Sequence, residues 1–110
     1  MKIPELPFTV TDWSQVEPTR HPGDVGEALW RTVVVGDLRT RQVDYSPGYI
    51  ADHWCDRGHV LTVLQGELIT ELRDGRTFNL TAGMTYRVSD FGDAAHRSSS
   101  PTGCRLLIVD

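Results

Sequence analysis

The chain has 110 residues, of which 24% are charged and 39% hydrophobic, with a formal charge of −4 at pH 7; this is the composition of one ordinary globular domain enclosing one core. Lys2 is the only lysine, and no cluster of cations stands against the acidic balance, which argues against a nucleic-acid partner because nothing is placed to neutralise a row of phosphates. No stretch approaches the roughly 20 apolar residues that cross a bilayer. The opening MKIPELP also lacks the apolar core of a secretory signal, so a cytoplasmic protein without a membrane partner is expected.

Residues 1–28 are rich in Pro, Gly, Asp and Glu and show little periodicity. Thr11-Asp12-Trp13-Ser14 can open a short helical turn, which Pro18 and Pro22 keep from growing. Phe8 and Trp13 call for burial, so the segment is expected to lie as an arm over the remainder, or to be exchanged as a strand with a partner subunit. From Leu29 onward the pattern is one of short β-rich runs broken by turn residues. Residues 29–35 form the first run, ended by Gly36-Asp37, and 38–45 the second, ended by Ser46-Pro47-Gly48. A mostly apolar run over 59–64 stops at Gln65-Gly66. Runs 67–73 and 76–80 flank Asp74-Gly75, a strong hairpin signal. Residues 84–88 follow the Ala82-Gly83 turn, and 105–109 close the chain as a run that is apolar without a break after Arg105, as a strand buried on both sides would be. No window longer than about ten residues carries a helical stripe. The fold class read from this is all-β, a sheet closed on itself so that few edges are exposed.

Three of the four histidines fall where a metal site would explain them. His53 and Cys55 are two apart, so on an extended strand both side chains share a face, with Asp52 and Trp54 on the other. Asp56-Arg57-Gly58 is turn-like and returns the chain at His59. Two imidazoles and a thiol within seven residues suit a divalent first-row metal. Neither Cys55 nor Cys104 reads as part of a disulfide framework, and in a reducing compartment Cys55 is available as a thiolate. His96 lies far along the chain, and only folding can bring it to the others.

These spacings resemble cupins. The first cupin motif is a glycine, a His-x-His pair, a glutamate and, six residues later, a glycine; here the order is Gly48, His53-Trp54-Cys55, His59 and, after six residues, Gly66. Val63-Leu64-Gln65-Gly66-Glu67 resembles the close of that motif. For the second motif, Gly83 is followed by five residues, then by Ser89-Asp90-Phe91-Gly92 and by His96-Arg97, in a loop about two residues longer than usual and without its proline. The segments Pro47-Gly48-Tyr49-Ile50-Ala51-Asp52-His53-Trp54-Cys55, Asp74-Gly75-Arg76, Ala82-Gly83-Met84 and His96-Arg97-Ser98 are similar to the small DHCW-motif cupins, although the order here is Asp-His-Trp-Cys. The resemblance implies a single jelly-roll-like cupin β-barrel over 29–110 with residues 1–28 as its N-terminal arm, a homodimer, and a metal held by His53, Cys55, His59 and His96.

Cys55 stands in the place of the second cupin histidine and His59 in that of the glutamate, so the set is still three neutral imidazoles and one anion, now a softer one. A thiolate favours zinc, with iron or nickel behind it, over magnesium, calcium or manganese. Cys55 can be a direct ligand or a small buried thiol beside three histidines. Asp52 is a capping or turn carboxylate, a fifth ligand, or an acceptor that orients an imidazole. Arg39 and Arg41 share one strand face: a solvated outer face is the commoner place for such a pair, and turned inward they would suit an anionic substrate. Tyr86 is a candidate cavity hydroxyl or a packing residue, and His21 a surface residue. Three functions are compatible with this pattern: a metal-dependent enzyme acting on a small molecule in the barrel, a closed structural or sensing metal site, and a metal-free barrel that binds a small ligand. No residue is singled out as a general base.

Overall fold

The computed structural model describes residues 2–110, and among them one turn of 3-10 helix and nine strands carry the chain. The turn, Trp13–Gln15, sits where the sequence allows it: the Asp12 carboxylate accepts the Ser14 N–H at 3.0 Å and caps it. The strands are β1 (Thr19–Pro22), β2 (Glu27–Val35), β3 (Leu38–Tyr45), β4 (Tyr49–Ile50), β5 (His59–Leu72), β6 (Thr77–Thr81), β7 (Thr85–Val88), β8 (His96–Ser100) and β9 (Cys104–Val109). All pair antiparallel in the path β1-β2-β3-β9-β5-β8-β4, with β6 and β7 also on β5. The all-β expectation holds, and no helix among the described residues is long and apolar enough to cross a membrane.

β5 is the corner of this curled sheet. Its first half lies between β9 and β7, and its second half between β8 and β6. The exchange of partners occurs at a bulge between Val63 and Gln65, followed by Gly66 at φ +81°. The stop expected at Gln65-Gly66 is therefore a bend inside one strand rather than the end of one. A Cβ on Gly66 would lie 2.2 Å from the Gly103 carbonyl oxygen, so the approach of β5 to the start of β9 requires a residue without a side chain. The Asp74-Gly75 hairpin forms as read, with Leu72 N–H on the Arg76 carbonyl at 2.8 Å and Gly75 at φ +100°.

Inward alternation builds the core from Val43 on β3, Leu61, Val63 and Leu68 on β5, and Leu106 and Ile108 on β9. Three strands escape the sequence pattern. β1 and β4 are short and partly exposed, and β8 reads His-Arg-Ser-Ser-Ser, with no apolar residue to mark its inward positions. Thr19–Pro22 pairs with β2 of its own chain. The arm borders a groove with Val33, Val35 and Leu107. Trp13 is half-buried there, but Phe8, for which burial is expected, is 96% exposed at the groove's open edge.

Candidate metal centre

Backbone pairing, not chain proximity, joins Cys55 to His96. The two residues form an isolated antiparallel bridge, with the Cys55 N–H donating to the His96 carbonyl at 2.7 Å and the His96 N–H to the Cys55 carbonyl at 2.8 Å. Residues directly opposed in this way project to one face. On its other side His96 pairs with Leu72 of β5. His59 opens β5, and its ring stands edge-on to that of His96, 4.9 Å between centroids at 87°. One donor atom each from Cys55, His59 and His96 lies within 4.8 Å of the others.

The chemistry of this trio suits a divalent transition metal. His96 is 4% exposed, and neither of its ring nitrogens has a hydrogen-bond partner among the described residues, a state that costs free energy unless something is bound there. Burial pushes the His96 pKa down, against a small opposing pull from Asp56. Burial first, and then the charge of His96, push His59 down to about 4, with Asp110 acting in the opposite direction. Both rings are thus neutral at pH 7, the form a metal requires. Bonds of about 2.0–2.3 Å set tetrahedral donors roughly 3.3–3.6 Å apart, so the three would draw together by up to about 1.5 Å around an ion. Tyr86, on β7, places its hydroxyl 2.8 Å from His59 Nε2, and burial raises its pKa so that it stays a neutral phenol.

His53 lies outside the trio. The chain bends at Asp52 and His53 instead of running extended, so the two-residue alternation that would align His53 with Cys55 does not operate. His53 instead lines the exposed edge of the same cavity, two-thirds exposed, with its Nδ1 2.7 Å from Asp52 Oδ1. Asp52 therefore faces His53 instead of pointing away from it. Arg39 and Arg41 turn inward. They line this cavity, of about 230 Å³, together with Tyr86 and the trio, and both bind Asp110. Sequence reasoning missed Asp110, Arg57 and Arg97 as lining residues. Asp110 was recoverable, being two past the inward Ile108. Arg57 and Arg97 sit in irregular or wholly polar segments that carry no alternation signal. His21, half-buried, stacks on Trp30 at 3.8 Å.

No protein-family model and no curated protein matches the chain, but solved structures do. A RmlC-like cupin from Shewanella frigidimarina superposes with a TM-score of 0.70 at 21% identity, over 96% of this chain and 91% of that one. The polyketide cyclase RemF from Streptomyces resistomycificus gives 0.74 at 22% identity, over 93% and 78%. Ectoine synthase from P. lautus gives 0.70 at 19% identity, over 93% and 76%. At such identities the likeness is one of fold. The likeness to DHCW-motif cupins stays one of sequence segments.

Proposed function

We propose that this chain, with the fold of RmlC-like cupins, binds a divalent transition metal through Cys55, His59 and His96 and uses the site to bind or transform a small molecule in the barrel cavity. The observation that carries this reading is the meeting of the three donors on the cavity wall, with both nitrogens of the buried His96 unpartnered. The soft thiolate makes zinc the first choice, with iron or nickel next. A bound ion of this kind supplies Lewis acidity toward a carbonyl or a water molecule. Three protein donors leave a coordination position to a ligand, as in catalytic rather than structural zinc sites. The chain itself orients the His59 ring through the Tyr86 hydroxyl and fixes Cys55 and His96 by their mutual backbone bonds.

A closed structural or sensing site is the second reading, favoured by His53: it edges the same cavity with Asp52 on its Nδ1, the arrangement that orients metal-binding imidazoles. Elemental analysis and zinc titration of untagged protein test both. Wild type is expected to hold one ion per chain, His96→Gln to lose at least about a hundredfold in affinity, and His53→Ala less than about tenfold. A hundredfold loss in His53→Ala moves the site to the closed reading, and wild type without a stoichiometric ion ends the metal proposal in favour of a metal-free binder.

The same proposal puts the chain in a reducing compartment, the cytoplasm, where Cys55 and Cys104, neither in a disulfide, stay reduced. It also pairs two copies through the arm, where Phe8 and Val10 are 96% and 79% exposed; sedimentation of wild type should give a dimer, and Phe8→Glu a monomer.

A further inference from the structure

Beside the metal trio, on the adjacent strands β3 and β9, the cavity wall carries a charge pattern that the metal alone does not explain. Arg39 and Arg41 line the cavity with one carboxylate, Asp110; Arg57 and Arg97 border it too, but the Arg57 guanidinium lies over Phe91 and that of Arg97 over Trp54 and against Glu71, outside the lining. Arg39 already occupies both oxygens of the Asp110 carboxylate, with Nε at 2.8 Å and Nη2 at 2.7 Å. Arg41 shares only Oδ2, through Nη2 at 2.9 Å. Arg41 is 7% exposed, and its Nε, buried, has no partner among the described residues. Its guanidinium lies 4.6 Å over the Trp30 ring, which His21 backs on the far side.

A buried cation with an unused donor is costly and is retained where an anion completes it. Burial accordingly lowers the pKa of Arg41, against the pull of Asp110. The geometry of a guanidinium fork fits a carboxylate better than it fits a point charge. The remaining wall includes Tyr45 and Tyr49, stacked at 4.1 Å, and Leu61 and Ile108, which suits a flat unsaturated body. A volume of about 230 Å³ lies below the range that holds drug-sized ligands. The chain as a whole carries net negative charge, so Arg41 and Arg39 beside the single carboxylate of this cavity stand out as an anion's destination.

We infer that the cavity binds a small carboxylate with an aromatic or conjugated body, its carboxylate held by Arg41 and its body against Tyr45 and Tyr49. This rests on the cavity of the proposed function and not on the metal. Arg41 is a binding residue here, and Trp30 with His21 positions it.

The test uses benzoate as probe, with benzamide as its uncharged match and inorganic phosphate as a second anion, titrated calorimetrically into metal-free and zinc-loaded wild type and into Arg41→Met. Benzoate should bind wild type at least about tenfold more tightly than benzamide or phosphate, and Arg41→Met should lose at least about tenfold while keeping its zinc content and melting temperature. Equal binding of benzamide, tighter binding of phosphate, no benzoate binding up to about 10 mM, or unchanged affinity in Arg41→Met overturns the inference. Should Arg41→Met not fold, Arg41→Lys, which keeps the charge without the fork, decides: at least about threefold weaker benzoate supports it, and unchanged affinity overturns it. Benzoate binding to a chain that takes no metal leaves this inference standing and ends the metal reading; zinc without benzoate does the reverse.

Discussion

The two ends of the barrel interior are built by the same three strands in the same inward register, yet one is dry and the other is charged. Toward one end β3, β5 and β9 present Val43, Val63, Leu68 and Leu106, all fully buried. Toward the other, the same alternation continues as Arg41, His59 and, one residue beyond β9, Asp110. The register shows how close the two regimes are: Val43 faces Leu106, and two residues along Arg41 faces Ile108. At the apolar end burial stabilises the fold. At the polar end, His96 with both nitrogens unpartnered and Arg41 with an idle Nε store a cost that a ligand can relieve. The comparison teaches that a barrel divides its interior into a half that holds it together and a half that is kept incomplete.

The largest effect should come from the dry end. Leu106→Ala removes a fully buried side chain and should lower stability by about 2–5 kcal/mol, or roughly 10–20 °C in melting temperature, while the folded fraction keeps its zinc affinity. Loss of zinc from a still-folded Leu106→Ala would show that the two ends are not independent.

Next is Asp110→Asn, which strips Arg41 and Arg39 of their shared counter-charge and should cost about 3 kcal/mol in urea denaturation, because breaking a buried pair strands a charge. Adding Arg41→Met should restore most of that loss. A double variant no more stable than the single one would mean that the cost at this end does not reside in the cation.

The smallest effect is in acid. Burial holds His59 neutral in the fold, down to about 4, whereas an unfolded chain takes up protons below about 6.5. The unfolded state therefore binds more protons between these values, and the metal-free protein should lose stability as pH falls from about 6.5 to about 4, by less than Asp110→Asn loses at pH 7. His59→Gln should lessen that slope in a pH series of urea midpoints, leaving the share that the buried His96 carries; an unchanged slope would remove His59 as a source.

Much of this molecule was legible in its residues. The strand over 38–45 matches β3 at both ends, the Asp74-Gly75 turn joins β5 to β6, and the last apolar run is β9 less its first residue. Gln65-Gly66 was legible as an irregularity but not as a bend, because a glycine that ends a strand and one that lets another strand approach have the same local signature. Of the candidate site, Cys55, His59 and His96, which the fold brings together, were singled out by residue type and spacing. His53 was placed with them on an alternation that holds only where the backbone is extended, and the chain bends there.

The sequence by itself determined six of the nine strands, the side chains that share a face where the backbone is extended, and which residues are able to ligate a metal, since all three follow from alternation and from side-chain chemistry within a few residues. Tertiary structure alone decided which face is the inside, turning Arg39 and Arg41 to the cavity, and which distant residue stands opposite Cys55. Both depend on the neighbouring strands: a face becomes interior only when β5 bends the sheet over it, and His96 reaches Cys55 only through hydrogen bonds between segments some forty residues apart.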